Sequence, residues 1–236
     1  MINHAETPFL NPPTKFKARV GLAIAFLVAW LFLYVAFEVT EDGTGDLLWV
    51  AFDHTVYNAI ISMRLEALSS AMLSFTYIGS TIAVSFVALV ALIYFYFRSL
   101  KSDFRILLGS SLGSLLLIRT SKWVFGRVRP SKETWLMQAD GLSFPSGHSA
   151  GSFAVLGAVF YILGRSCEHP HQRWTIWGIG ILLVLTIGVS RVYLGVHYPT
   201  DVLGGFLLGL AVLLFSISID VLIASRGRHK ETARPQ

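Results

Sequence analysis

The stretch Gly141-Leu-Ser-Phe-Pro-Ser-Gly-His-Ser149 runs without a break into apolar sequence that continues to residue 164. Pro145 and Gly147 interrupt the backbone, and Ser146 and His148 bring polar chemistry. The run behind them is long enough to matter: a bilayer core about 30 Å thick takes roughly 20 apolar residues per helical crossing. The stretch therefore reads as the polar lip of a membrane helix, with its chemistry at the bilayer edge.

Working outward, the apolar pattern recurs. Runs over about 18–37, 69–97, 104–124, 147–164, 174–192 and 200–225 predict six membrane-spanning helices. Composition agrees. The chain is 54% hydrophobic and 14% charged, where a soluble domain carries about a quarter charged residues. Between the first two runs, Leu47, Leu48, Ala51, Phe52, Ala59 and Ile60 lie near one helical face, with Asp46, Asp53, His54 and Asn58 elsewhere. This segment reads as an interfacial amphipathic helix. The expected fold is an all-α, six-transmembrane-helix bundle with that interfacial helix. A polar tail (1–17) precedes the membrane domain (18–225), and a basic tail (226–236) follows it. The first run lacks a small-residue cleavage signature, so it reads as a retained helix. The single cysteine, Cys167, excludes an internal disulfide and a cysteine-rich metal site.

Twelve of the 19 Lys and Arg flank the N-terminus, the 98–105 loop, the 165–173 loop and the C-terminus. Cytoplasmic segments carry such an excess, so both termini are expected in the cytoplasm. The net charge of +5 is thereby accounted for at the membrane surface, and no nucleic-acid partner is expected. The same topology carries the ends of runs three and five, and the starts of runs four and six, to the outer side.

Three polar clusters sit at those four ends. The first is Lys122-Trp-Val-Phe-Gly-Arg-Val-Arg129-Pro130. By itself a basic cluster at a helix end is an interfacial anchor, but on the outer side the positive-inside rule disfavours it. The second is Pro145-Ser-Gly-His148, where Gly147 admits a ligand close to the backbone and a helix N-terminus offers N–H groups to an anion. Alone, it could equally be a helix cap. The third is Ser190-Arg191-Val-Tyr-Leu-Gly-Val-His197-Tyr-Pro-Thr-Asp201. A carboxylate four residues after a histidine can orient its ring, although a lone pair of this kind is as readily a cap. The conjunction is more telling. Three cations, two histidines and a carboxylate at membrane depth mark a functional site, and phosphoryl transfer needs cations and donors around the oxygens, a nucleophile in line and an acid for the leaving group.

The ordered triple resembles the type 2 phosphatidic acid phosphatase family, which includes bacterial lipid phosphatases and shares its site with vanadium-dependent haloperoxidases. The motifs cover 122–201, about a third of the chain, without a departure at their signature positions. The resemblance implies catalytic His197, His148 and Asp201. His197 would be the nucleophile that becomes a phosphohistidine, Asp201 would hold its ring, and His148 would protonate the leaving group and then activate water. Lys122, Arg129, Ser146, Gly147 and Arg191 would cradle the phosphate. No metal and no cofactor is implied, and these clusters lack carboxylates for Mg²⁺ apart from Asp201. The expected partners are a lipid phosphate and the bilayer, and oligomeric state is left open. Candidate substrates are undecaprenyl pyrophosphate, phosphatidylglycerol phosphate and phosphatidic acid, cleaved at the outer face of a bacterial inner membrane. Two alternatives stand: a lipid A phosphatase or phosphotransferase of the same family, and a non-enzymatic anion or lipid transporter.

Other polar residues read as ordinary. His169 and His171 fall in a solvated loop, Asp220 near the inner boundary snorkels or pairs with a base, and Arg119 adds positive potential. Arg127 and Lys132 read as flexible interfacial charges. Tyr193 and Tyr198 read as belt or packing residues, and Gly205 with Gly209 as a weak dimer signal.

Overall fold

A computed structural model describes residues 15–40 and 47–232. Residues 1–14 of the polar tail, residues 41–46 and residues 233–236 of the basic tail lie outside the described residues. What is described is helical, without strands.

The helices are α1 (Lys15–Thr40), α2 (Leu47–Ser62), α3 (Glu66–Ile78), α4 (Thr81–Phe97), α5 (Lys101–Phe125), α6 (Gly147–Gly151), α7 (Gly157–Arg165), α8 (Pro170–Tyr193) and α9 (Pro199–Thr232). A π-turn over Ser152–Leu156 joins α6 to α7, making one continuous rod from Gly147 to Arg165. Among the described residues four helices are long and apolar enough to cross a membrane: Lys15–Val39, Gly147–Arg165, Pro170–Tyr193 and Pro199–Arg226. The pair α3–α4 makes a fifth if its two arms act as one span. Large apolar side chains such as Phe26, Trp30, Phe86, Leu116, Trp174 and Leu182 point outward. That surface suits lipid rather than water, and the chain is an integral membrane protein.

The 69–97 run is not one straight helix. It breaks at Gly79–Ser80, and the two arms bend by 44°. Gly79 closes α3, and Ser80 opens α4 by accepting a hydrogen bond from the Ala83 N–H at 3.2 Å. A hydroxyl in this position satisfies a donor that a new helix would otherwise leave open. Gly79 also lies against Ile187 of α8 so closely that a Cβ would collide with its side chain. Helix α5 has a crossing's length, but its glycines, serines and basic residues make it less apolar. Its Ser110, Ser114 and Ser121 are buried against the bundle.

The polar residues of α2 divide, with His54 and Asn58 exposed and Asp53 turned into the protein. Asp53 and Tyr57 are buried, whereas Val50, Ala51, Phe52 and Ala59 are exposed. Asp53 faces the protein because its partners lie there, Ile60 and Ile61 pack beside Tyr57, and the remaining exposed apolar residues suit lipid.

Among the described residues three buried clusters hold the bundle, the smallest formed by Tyr57, Val192 and Val202. Ile106 and Leu107 of α5, Ala158 and Ile162 of α7, and Val184 and Ile187 of α8 form one. Phe32 and Ala36 of α1 pack with Phe144, Ala150 and Leu208 in another. Phe144 is fully buried, stacked on Phe32 with ring centres 5.6 Å apart. Far from the three motifs, Asp220 accepts from Arg105 Nε at 2.8 Å and Ser102 Oγ at 2.5 Å, and Arg165 pairs with Asp103. The pairing expected for Asp220 is therefore present, and it ties α5 to α9.

Candidate active site

The middle motif is built on a close approach of α9 to α6. The Ser146 N–H donates to the Asp201 carbonyl at 2.9 Å, and Phe144–Pro145 is cis. At Gly205, a Cβ would stand 2.7 Å from the Ser146 carbonyl oxygen, and at Gly209 it would stand 2.6 Å from that of Ala150. These glycines pack α9 onto the turn of the same chain, so the small-residue pair serves that contact and not the dimer face suggested by its spacing. The Ser146 hydroxyl is buried without a hydrogen-bond partner among the described residues, as is Arg191 Nε.

The third motif closes α8 and opens α9. Arg191 is buried and donates from Nη1 to Thr76 Oγ1 at 2.6 Å and to Met137 Sδ at 3.1 Å. After Tyr193 the chain turns at Gly195, whose φ of 82° suits glycine. His197 follows, 1% exposed, and the fully buried Asp201 sits in the first turn of α9. The direct contact from His197 Nδ1 to Asp201 Oδ2 is 3.4 Å. Ser143 lies between them, donating to Asp201 Oδ2 at 2.5 Å and facing His197 Nδ1 at 3.3 Å.

The first motif meets the third from the far side. Gly126, with φ of 62°, ends α5 in the left-handed conformation. Lys122, in its last turn, donates to the Leu142 carbonyl and lies 3.4 Å from that of Ser143. Arg129 donates to the carbonyls of Gly141, Asp140 and Val196, at 2.9, 2.9 and 2.7 Å. Its Nη1 is also 3.0 Å from His197 Nε2. A guanidinium can only donate, so Nε2 must carry the lone pair and the proton sits on Nδ1. Burial holds the His197 imidazole well below its ordinary pKa; Asp201 works against this, and Arg129 and Arg191 add to it. Burial also lowers Arg129, while Asp201 and Asp140 partly restore it.

A cavity of about 630 Å³ gathers these groups: Lys122, Arg129, Gly147, His148, Arg191 and His197 line one end. Ser146, next to Gly147, and Asp201, partner of His197, are fully buried. The rest of the cavity runs between α4 and α5, past Val84, Ala88, Leu89 and Leu92 on one side and Leu112, Leu115 and Ile118 on the other. Arg119 also lines it. A polar head and an apolar tail would each find a matching surface. Among the described residues no group of three or more His, Cys, Asp or Glu is disposed to hold a metal.

The model of the PAP2 superfamily matches residues 103–222, a segment that contains all three motifs. The chain belongs to this superfamily. It is 34% identical over 171 residues to phosphatidylglycerophosphatase B of Bacillus subtilis, covering 71% of this chain and 83% of that one. It is 27% identical over 204 residues to an undecaprenyl-diphosphatase of Sulfolobus acidocaldarius, covering 84% and 89%. The crystal structure of a transmembrane PAP2 type phosphatidylglycerolphosphate phosphatase from Bacillus subtilis superposes with a TM-score of 0.70 at 27% identity, over 90% of this chain and 98% of that one.

Several residues of this PAP2 site are silent in sequence reasoning. Ser143, Thr76 and Met137 are single polar or soft residues whose partners lie 54 to 115 positions away. Arg127 is not a flexible interfacial charge. It forms buried pairs with Asp53 at 2.6 Å and Asp201 at 2.7 Å, because the Gly126 turn swings it inward. Burial lowers the pKa of its guanidinium, but Asp201 and Asp53 outweigh that and raise it. Tyr193 is a packing residue, hydrogen-bonded to the Leu65 N–H and facing Ser69. His171 lies in the first turn of α8 rather than in a loop, its ring stacked on His169 at 5.5 Å.

Proposed function

We propose that this chain hydrolyses a phosphomonoester or pyrophosphate on a lipid through a phosphohistidine, without a metal ion. The observation that carries the reading is a cavity whose cationic end continues into an apolar slot between α4 and α5. Cations at the head neutralise a phosphate, and the slot accepts a hydrocarbon tail beside it. Phosphatidylglycerol phosphate, undecaprenyl pyrophosphate and phosphatidic acid all have this form.

In the proposed reaction, His197 Nε2 attacks phosphorus, and the bond from phosphorus to the lipid-side oxygen breaks. His148 gives that oxygen a proton. Lys122, Arg129, Arg191, the Ser146 hydroxyl and the Gly147 N–H hold the three remaining oxygens, where charge grows in the transition state. His148 then takes a proton from water as that water attacks phosphorus, the N–P bond breaks, and phosphate leaves with both imidazoles restored. The Nδ1 proton, directed at Ser143 and Asp201, keeps the lone pair on Nε2.

The membrane arrangement completes the proposal. Helix α5 serves as the sixth crossing of a domain over 18–225, both termini lie in the cytoplasm, and the site opens at the outer face of a bacterial inner membrane. The basic residues of the ends opposite the site support this orientation. Free phosphate released from a panel of the three lipids tests the activity. At least one should be cleaved, His197→Ala should abolish turnover while inorganic vanadate still binds, and EDTA should leave the rate unchanged. Absence of phosphate release from every lipid and pyrophosphate offered would refute the hydrolase reading.

A further inference from the structure

Asp201 is gripped on both oxygens. Oδ2 takes Ser143 and the Tyr198 N–H, the latter at 2.8 Å, while Oδ1 accepts from Arg127 Nη1 at 2.7 Å. The other arm of that guanidinium, Nη2, donates to Asp53 Oδ2 at 2.6 Å. Asp53 in turn accepts from the Thr200 N–H at 2.9 Å and its hydroxyl at 2.5 Å. Thr200 is the neighbour of Asp201, so α2 reaches the start of α9 twice, once directly and once through Arg127. The Tyr198 ring lies 4.6 Å from the Arg127 guanidinium carbon and covers it.

One helical turn further along α2, Tyr57 makes a second attachment. Its hydroxyl donates to the Gly195 carbonyl at 3.0 Å and lies 2.5 Å from Thr134 Oγ1. Residues four apart on a helix share a face. That one face thus holds both ends of the Gly195–Thr200 loop, and His197 is at its middle. A helix-borne clamp on a six-residue loop is more than packing needs: Asp53 is a buried carboxylate, and its burial is tolerable only because Arg127 and Thr200 satisfy it.

We propose that α2 is a positioning element for the phosphoryl-transfer step, with Asp53 and Tyr57 clamping the two ends of the His197 loop and Arg127 fixing Asp201. This rests on the lipid phosphatase reading above. Asp53, Tyr57 and Arg127 touch no substrate; they act through Asp201 and the loop. Their removal should leave phosphate binding in place and slow the chemical step, because small misplacements of a reacting group are costly in rate.

The test uses the full chain in detergent micelles, with dioctanoyl phosphatidic acid as substrate and inorganic vanadate as a probe of the pocket. Arg127→Met should lower kcat by about ten- to a hundredfold, with KM and vanadate affinity within about threefold. Tyr57→Phe should lower kcat by about two- to tenfold, the scale of one neutral hydrogen bond. Asp53→Asn should fall between them, and Asp53→Asn with Arg127→Met should be no slower than Arg127→Met alone, since both act along one chain of contacts. The pH profile separates positioning from simple loosening. His197 faces Asp201 and Ser143 at Nδ1, Arg129 at Nε2, and Arg191 and His148 across the cavity. Without the Arg127 charge, Asp201 draws a proton to His197 more strongly, so the acidic limb of kcat should move to higher pH. Arg127→Lys keeps the charge and should leave the limb in place while still lowering kcat. If Arg127→Met does not fold, as judged by thermal melting, Arg127→Lys and Asp53→Asn decide on the same readouts. The inference is overturned if folded Arg127 variants keep kcat within threefold, if Tyr57→Phe leaves kcat unchanged, if only KM changes, or if the two losses multiply. A wild-type chain that cleaves no lipid refutes the function itself; an active wild type with unaffected variants refutes only the clamp.

Discussion

Replacing Ser143 by alanine tests the geometry at the proposed nucleophile, His197, most directly. The Ser143 hydroxyl is fully buried, 2.5 Å from Asp201 Oδ2 and 3.3 Å from His197 Nδ1, whereas the two catalytic-loop partners are 3.4 Å apart. At that separation the direct bond is weak, and the serine is the better-placed link. A hydrogen bond to a charged group contributes about 1.5–3 kcal/mol. Asp201 keeps the Tyr198 N–H and Arg127 in the variant, so the carboxylate stays buried and satisfied while the imidazole loses its firm support. With about 1.4 kcal/mol per tenfold in rate, kcat should fall by about ten- to a hundredfold. KM should change by less than about twofold, because no phosphate ligand is touched. Released phosphate measured across lipid concentrations supplies both constants, and thermal melting checks the fold. A kcat within twofold of wild type, with an unchanged melting point, would refute the idea that Ser143 links His197 to Asp201.

Three further outcomes follow from other parts of the structure. In the proposed reaction the neutral form of His197 attacks, and burial lowers its pKa, so the acidic limb of the kcat profile should lie below the free imidazole value of about 6.5; a limb above that value would contradict the buried, neutral ring. Gly205→Val places carbon against the Ser146 carbonyl and should cost about 1–3 kcal/mol, seen as a lower melting point together with weakened vanadate binding. Asp220→Asn at the opposite end breaks the pair with the half-exposed Arg105 and should cost about 1–3 kcal/mol, with kcat unchanged; a large loss of kcat would show that the two ends of the bundle are coupled.

The helical architecture was largely legible because hydrocarbon imposes a simple demand, and long apolar runs meet it. The family motifs stood out for a related reason: Lys122, Arg129, Arg191 and the two histidines are expensive in an apolar chain, and their spacing is local. The break at Gly79–Ser80 was hidden because one glycine and one serine within an apolar run are common in membrane helices. The inward turn of Asp53 is not legible in α2, because local spacing does not separate it from the exposed His54 and Asn58. Arg127, Asp53 and Thr200 escaped notice because their partners are 73 to 147 residues apart. Nothing in local spacing distinguishes such residues from ordinary interfacial charges.

The contact between Arg129 and His197 Nε2 has a kinetic meaning under the proposed mechanism. The electron pair meant for phosphorus faces the Arg129 Nη1 donor at 3.0 Å. An arriving phosphate dianion competes for the same guanidinium and, by winning it, uncovers the imidazole. Reactivity then becomes conditional on cargo, and a neutral electrophile that cannot recruit Arg129 meets a quenched nucleophile. One residue would thus serve as both latch and ligand, and the chain's selectivity for phosphate would begin before any bond to phosphorus forms.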